Sequence, residues 1–236
     1  MNHPAPHRAL LPLAILLALP LLAFDFGFLT PLAAFAGAAA LLVALALAFR
    51  GLRSAPLLNW RLMGVCMAVA LAVVALSGGA HILYRTDDWT IRDGILVDLV
   101  RQPWPFAYQF SDGAQMLRAP LGIYLAPALV GKMFGLFAAD LAMGLQNALV
   151  LGFVLLLVAQ EAATRRGRVI VIAVFVLFSG MDILPALARL LIDGRHAQLP
   201  HLDGWGGIIQ YSSHITLMFW TPNHGLAGFA FAAAYL

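Results

Sequence analysis

Apolar stretches about twenty residues long recur along this chain. One of them, PLAAFAGAAALLVALALAF (Pro31–Phe49), holds no charged residue and no hydroxyl. An α-helix needs about 20 such residues to cross the ~30 Å hydrocarbon layer of a bilayer, and within lipid it satisfies all its own backbone hydrogen bonds. The repetition leads to an all-α, polytopic helical membrane protein. Composition agrees, since 62% of the 236 residues are hydrophobic and only 11% are charged. Soluble domains carry about a quarter charged residues.

Six spans are expected, at Ala9–Phe28, Pro31–Phe49, Leu62–Leu83, Leu141–Ala159, Val169–Leu191 and Leu217–Leu236. The first stretch begins like a secretory signal. A second apolar run follows after a short gap, which favours a two-span hairpin over a cleaved leader. FAFAAAYL stops inside an apolar run, so the sequence is expected to be a piece of something longer. All 236 residues are taken as one membrane domain.

Two short loops fix the orientation. Arg50, Arg53 and Arg61 form one basic group, and Arg165, Arg166 and Arg168 the other. Arginine-rich loops of this kind stay in the cytoplasm. The N-terminus is therefore cytoplasmic, and the segments 84–137 and 192–216 face outward. For both basic loops to lie inside, LRAPLGIYLAPALVGKMFG (Leu117–Gly135) cannot cross. Its prolines, glycines, Arg118 and Lys132 suit an interfacial helix. The net charge of +3 offers no basic face for nucleic acid, and Cys66, the single cysteine, excludes a disulfide framework.

Charge is concentrated between Tyr84 and Tyr108, where Asp87, Asp88, Asp93 and Asp98 alternate with Arg85, Arg92 and Arg101. The run WTIRDGILVDLVR suits a helix with Ile91, Ile95 and Leu99 on one face, lying flat on the membrane. Asp87 or Asp88 could cap this helix, Asp88 could pair with Arg92 one turn on, or one of the two could be a catalytic carboxylate. The second outer loop holds His201, Asp203, Trp205, Gln210, Tyr211 and His214. Their spacing matches no compact zinc motif. The tryptophans fit either an aromatic belt or stacking on sugar rings. Asp182, inside the fifth expected span, calls for a partner such as Arg189 or for a functional reason. Arg85, Arg118 and Arg195 lie outside against the usual bias, which points to an anionic client such as a lipid phosphate. The two outer loops are expected to share one pocket at the edge of the bilayer.

The acidic pair after a span, the interfacial helices and APLGIYLAPALVGKMFG, with its Pro120–Leu121 step, resemble the front end of the GT-C membrane glycosyltransferases. That superfamily includes protein O-mannosyltransferases and aminoarabinose transferases. TDDWTIRDGILVDL and QYSSHITLMFWTPNHGL look like segments of bacterial membrane proteins of this type. The resemblance covers Leu62–Leu236 and leaves Ala9–Phe49 as an additional hairpin; members usually have many more spans.

The resemblance implies a bacterial inner-membrane enzyme that takes a sugar from a polyprenyl-phosphate donor at the outer leaflet. Asp88, with Asp87 second, would be the general base on an acceptor hydroxyl. Arg118, Lys132 and Arg195 would bind the donor phosphate, and Trp89, Trp205, His201, Asp203, His214 and Asp182 the sugar and acceptor. Some relatives use a divalent metal and others do not, so no cofactor is assigned. A permease or a non-catalytic, truncated membrane protein would be the alternative; a permease would carry charges along a path through the bilayer.

Overall fold

The computed structural model describes residues 8–53, 58–79, 87–177, 188, 190–192, 194 and 213–235. In chain order these form α1 (Leu10–Phe28), α2 (Pro31–Gly51), α3 (Trp60–Leu76), α4 (Asp88–Arg101), β1 (Tyr108–Phe110), β2 (Gly113–Gln115), α5 (Gly122–Phe134), α6 (Leu136–Gln160), α7 (Arg165–Leu177), α8 (His214–Trp220) and α9 (Pro222–Tyr235). The two short strands form an antiparallel hairpin with Tyr108 opposite Gln115.

Among the described residues three helices are long and apolar enough to cross a membrane: α1, α2 and α6, of 19, 21 and 25 residues. Six spans are not what this structure supports. Helix α3 has 17 residues and rises about 26 Å, and 80–83 of its expected span lie outside the described residues. Helix α7 is described as far as Leu177, and 178–187 lie outside the described residues. The last expected span is two helices, parted at Thr221 with φ −135° and ψ 50°. The cause is Pro222, which has no N–H to give to the preceding turn and whose ring pushes the residue before it out of helical geometry. It starts α9 instead, as Pro31 starts α2.

Helix α6 is the axis of the packing. Of its most apolar window 61% is buried, against 17% in α1 and 11% in α2, so α6 is enclosed and the first two helices lie at the periphery. Its two halves serve different cores. Ala148–Ala159 packs with Cys66, Ala70, Val73 and Val74 of α3 and with residues of α7, α8 and α9. Ala139 and Met143 pack with Trp89, Leu96 and Leu99 of α4 and Tyr124, Leu125 and Ala128 of α5. Helix α2 turns Leu32, Phe35 and Leu42 outward, an apolar face suited to hydrocarbon.

Helix α5 folds back on α6 through Gly135, whose φ of +90° is open to glycine at little cost. Gln146 Nε2 donates to the Ile123 carbonyl at 3.0 Å, and a Cβ on Gly131 would lie 2.8 Å from that of Ala139. The two helices therefore run antiparallel along the first half of α6. With 13 residues, α5 rises about 20 Å and does not reach across a bilayer. Its partners are α4, α1 and α6, so it is packed into the bundle. Helix α4 also differs from expectation. It buries Trp89, Leu96 and Leu99 with Ile95 packed against them and leaves Ile91 72% exposed, so two residues of the expected Ile91–Ile95–Leu99 stripe face the core and the first does not.

Candidate functional site

The first turn of α4 gathers the chemistry that the sequence concentrates near Asp88. Asp87 stands at the N-cap with helical φ −59° and ψ −28°, and its side chain makes no capping bond. Only its carbonyl is used, accepting from the Thr90 N–H at 3.0 Å. Capping is thus not what occupies either carboxylate. Asp88 follows in the first turn, half-buried, where the helix dipole favours its negative charge. Neither aspartate has an ion pair or side-chain hydrogen bond among the described residues.

Trp89 anchors that turn. It is fully buried, and its indole N–H donates to the carbonyls of Ser77 and Phe219, each at 2.9 Å. One side chain thereby ties the start of α4 to the end of α3 and the end of α8. A ring so enclosed has no face open to a sugar, so the expected stacking role does not survive.

Arg92 lies one turn beyond Asp88, on the same side of the helix. Its guanidinium sits 5.6 Å over the Trp89 ring, and Nε and Nη1 are buried without a hydrogen-bond partner among the described residues. No Arg92–Asp88 ion pair forms among the described residues. A desolvated cation without an anion is costly, and the planar fork of arginine is built to take one in two-point contact. Tyr124 of α5 stands beside it, almost wholly buried. Burial pushes its hydroxyl pKa upward; the Arg92 charge pulls the other way and Asp93 adds to the rise. A guanidinium and a phenol therefore meet where α4 and α5 begin, one helical turn along α4 from the half-exposed Asp88.

The other expected residues are spread apart. Lys132 donates to the carbonyls of Val100 (3.3 Å) and Gln102 (2.5 Å) and lies 5.0 Å over the Trp104 ring. It closes the C-terminal end of α4, about 20 Å along the helix from Asp88, and desolvation lowers its pKa. Its ammonium is spent on the backbone, so the phosphate role expected of it is not what the geometry offers. Arg118 is exposed six residues ahead of Tyr124, at the same end of α5 as Arg92, with no partner among the described residues. His214 is exposed but stacked on Phe175 at 4.6 Å and edge-on to Phe229 at 5.3 Å, which joins α8 to α7 and α9. Asp182, Arg195, His201, Asp203 and Trp205 lie outside the described residues, and with them the expected joining of the two outer loops in one pocket.

Among the described residues no three His, Cys, Asp or Glu side chains converge as metal ligands. The chain matches no protein family, no curated protein and no solved structure. The residues that sequence reasoning undervalued are Arg92, taken only as a partner for Asp88, and Tyr124, hidden in an apolar run. The four-residue step from Asp88 to Arg92 was the available signal.

Proposed function

We propose that this chain is a membrane-embedded glycosyltransferase that handles a sugar carried on a polyprenyl phosphate at the outer face of a bacterial inner membrane. Asp88 accepts the proton of an acceptor hydroxyl as its oxygen attacks the anomeric carbon. The lipid phosphate leaves with the bonding electron pair, and Arg92, helped by Arg118, neutralises it. The observation that supports this is the Arg92 guanidinium, its buried Nε and Nη1 unpartnered among the described residues, one turn from a half-exposed Asp88 that has no partner among them either. No soluble nucleotide sugar enters the scheme, and a divalent metal has no assigned step.

The orientation belongs to the same proposal. Arg8 donates from Nη2 to the Arg53 carbonyl at 3.0 Å, which brings the start of α1 to the basic loop after α2. With that end cytoplasmic, α4 begins on the outer side. The test is sugar transfer in membranes supplied with a panel of radiolabelled polyprenyl-phosphate sugars. Asp88→Asn lowers turnover by about 10²- to 10⁴-fold, the usual contribution of a general base, with membrane insertion intact. Full activity in both Asp87→Asn and Asp88→Asn would end the assignment.

One observation favours a permease as a second reading. The α8–α9 interruption at Thr221–Pro222 resembles the discontinuous helices that line transporter sites. Solute flux in proteoliposomes that persists in Asp88→Asn would support it against the transferase.

A further inference from the structure

A cavity of about 470 Å³ lies between α1, the start of α5, α6 and α9, and shares no residue with the first turn of α4. Leu16, Leu17, Pro20, Leu21 and Phe24 of α1 form one wall, a run of hydrocarbon about 12 Å long on the helix axis. Facing it are Asn147 of α6 and Asn223 of α9. Asn147 is 2% exposed, and the Oδ1 atoms of both asparagines are buried without a hydrogen-bond partner among the described residues. Its neighbour Gln146, by contrast, is used by the Ile123 carbonyl.

An unpartnered amide destabilises an apolar interior, and the helix would pack there with leucine. Its presence beside a chain-shaped apolar space therefore points to a polar group brought by a ligand. The lining holds no charged side chain, so an anionic or cationic head would enter without a counter-charge. A hydroxyl is different. It donates once and accepts twice, and so satisfies a carboxamide whichever way the amide is turned.

We propose that this cavity binds a neutral amphiphile, a hydrocarbon chain ending in a hydroxyl, with the hydroxyl held between Asn147 and Asn223. The proposal does not depend on the transferase reading.

The test uses the full chain in phosphatidylcholine nanodiscs with a diazirine-bearing hexadecanol as photoprobe. Labelling falls on residues 16–24, 119–125 and 222–227. Unlabelled hexadecanol displaces the probe at about one tenth of the concentration that hexadecane needs, the factor carried by one hydrogen bond of roughly 1.4 kcal/mol. Palmitate gains no such advantage. Asn147→Leu with Asn223→Leu erases the difference between alcohol and alkane, while Asp88→Asn and Arg92→Gln leave it unchanged, which separates this site from the first.

Equal competition by hexadecane and hexadecanol, or an alcohol preference that survives the double substitution, would overturn the proposal and leave a cavity filled by lipid tails alone. Melting supplies a second readout. Asn147→Leu without ligand melts at or above the wild-type temperature, and added hexadecanol raises the wild-type value only. A lower melting temperature in Asn147→Leu would show that the amide has an internal partner, and the proposal would fail.

Discussion

Replacing Trp89 by phenylalanine keeps an aromatic ring in the core and removes one N–H, yet that N–H serves two carbonyls on separate elements. Leaving a buried carbonyl without its donor costs about 1–3 kcal/mol, and the low end is taken for each of the two. The smaller ring also vacates roughly 40 Å³, worth about 1 kcal/mol at the usual cavity cost. The sum is about 3 kcal/mol. In a domain of this size that lowers the melting temperature by roughly 6–12 °C.

Cys66 supplies the assay. It is the only cysteine and is fully buried in the α3–α6 core, so a thiol-reactive dye reports its release on heating. Gly79→Ala gives an independent probe of the same contact, because its Cβ would stand 2.9 Å from Trp89 Cη2. A Trp89→Phe protein that melts within about 2 °C of wild type would refute the view that Trp89 is a structural tie between α3, α4 and α8.

Two further perturbations address the α4–α5 region. Gly131→Ala would place a Cβ 2.6 Å from Val100 Cγ2 and 2.8 Å from Ala139 Cβ, and overpacking at a three-helix contact destabilises by about 1–3 kcal/mol in the same thermal assay. Tyr108 donates to Asp98 Oδ2 at 2.5 Å, and its pKa is pushed up from 10.0 to about 12, by desolvation first and then by the Asp98 bond and charge. A raised phenol pKa means that the stabilisation is whole below pH 10 and disappears as pH climbs through about 12. Limited proteolysis of the β1–β2 hairpin should therefore accelerate across that window in wild type and show no such rise in Tyr108→Phe.

The parts of the fold that were legible in the sequence were the ones written in unbroken apolar runs. Helices α1, α2 and α6 begin and end within a few residues of their expected limits, because about twenty apolar residues leave a chain few alternatives. The last span was misread because LMFWTPNHGLAGFAFAAAYL averages to an apolar run, although Pro222 within it stops any single helix. At the site, residue type was informative and residue role was not. Lys132 looked like a free cation, but its partners are carbonyls 30 and 32 positions away, which no local pattern announces. Trp89 looked like a surface aromatic until α3 and α8 closed over it. Arg92 looked neutralised by its helical neighbour, whereas the fold lays it over an indole and leaves its Nε and Nη1 unmatched among the described residues.

In the proposed scheme Arg92 holds the phosphate of a lipid-linked donor beside Asp88. Equilibrium binding of a polyprenyl phosphate to the chain in nanodiscs tests it most directly, with the uncharged polyprenol as the reference ligand. Arg92→Gln should weaken phosphate binding by about ten- to a hundredfold, the worth of a charge-assisted hydrogen bond, and leave polyprenol binding unchanged. Lys132→Met should leave both unchanged. Phosphate binding that is as tight in Arg92→Gln as in wild type would contradict the account.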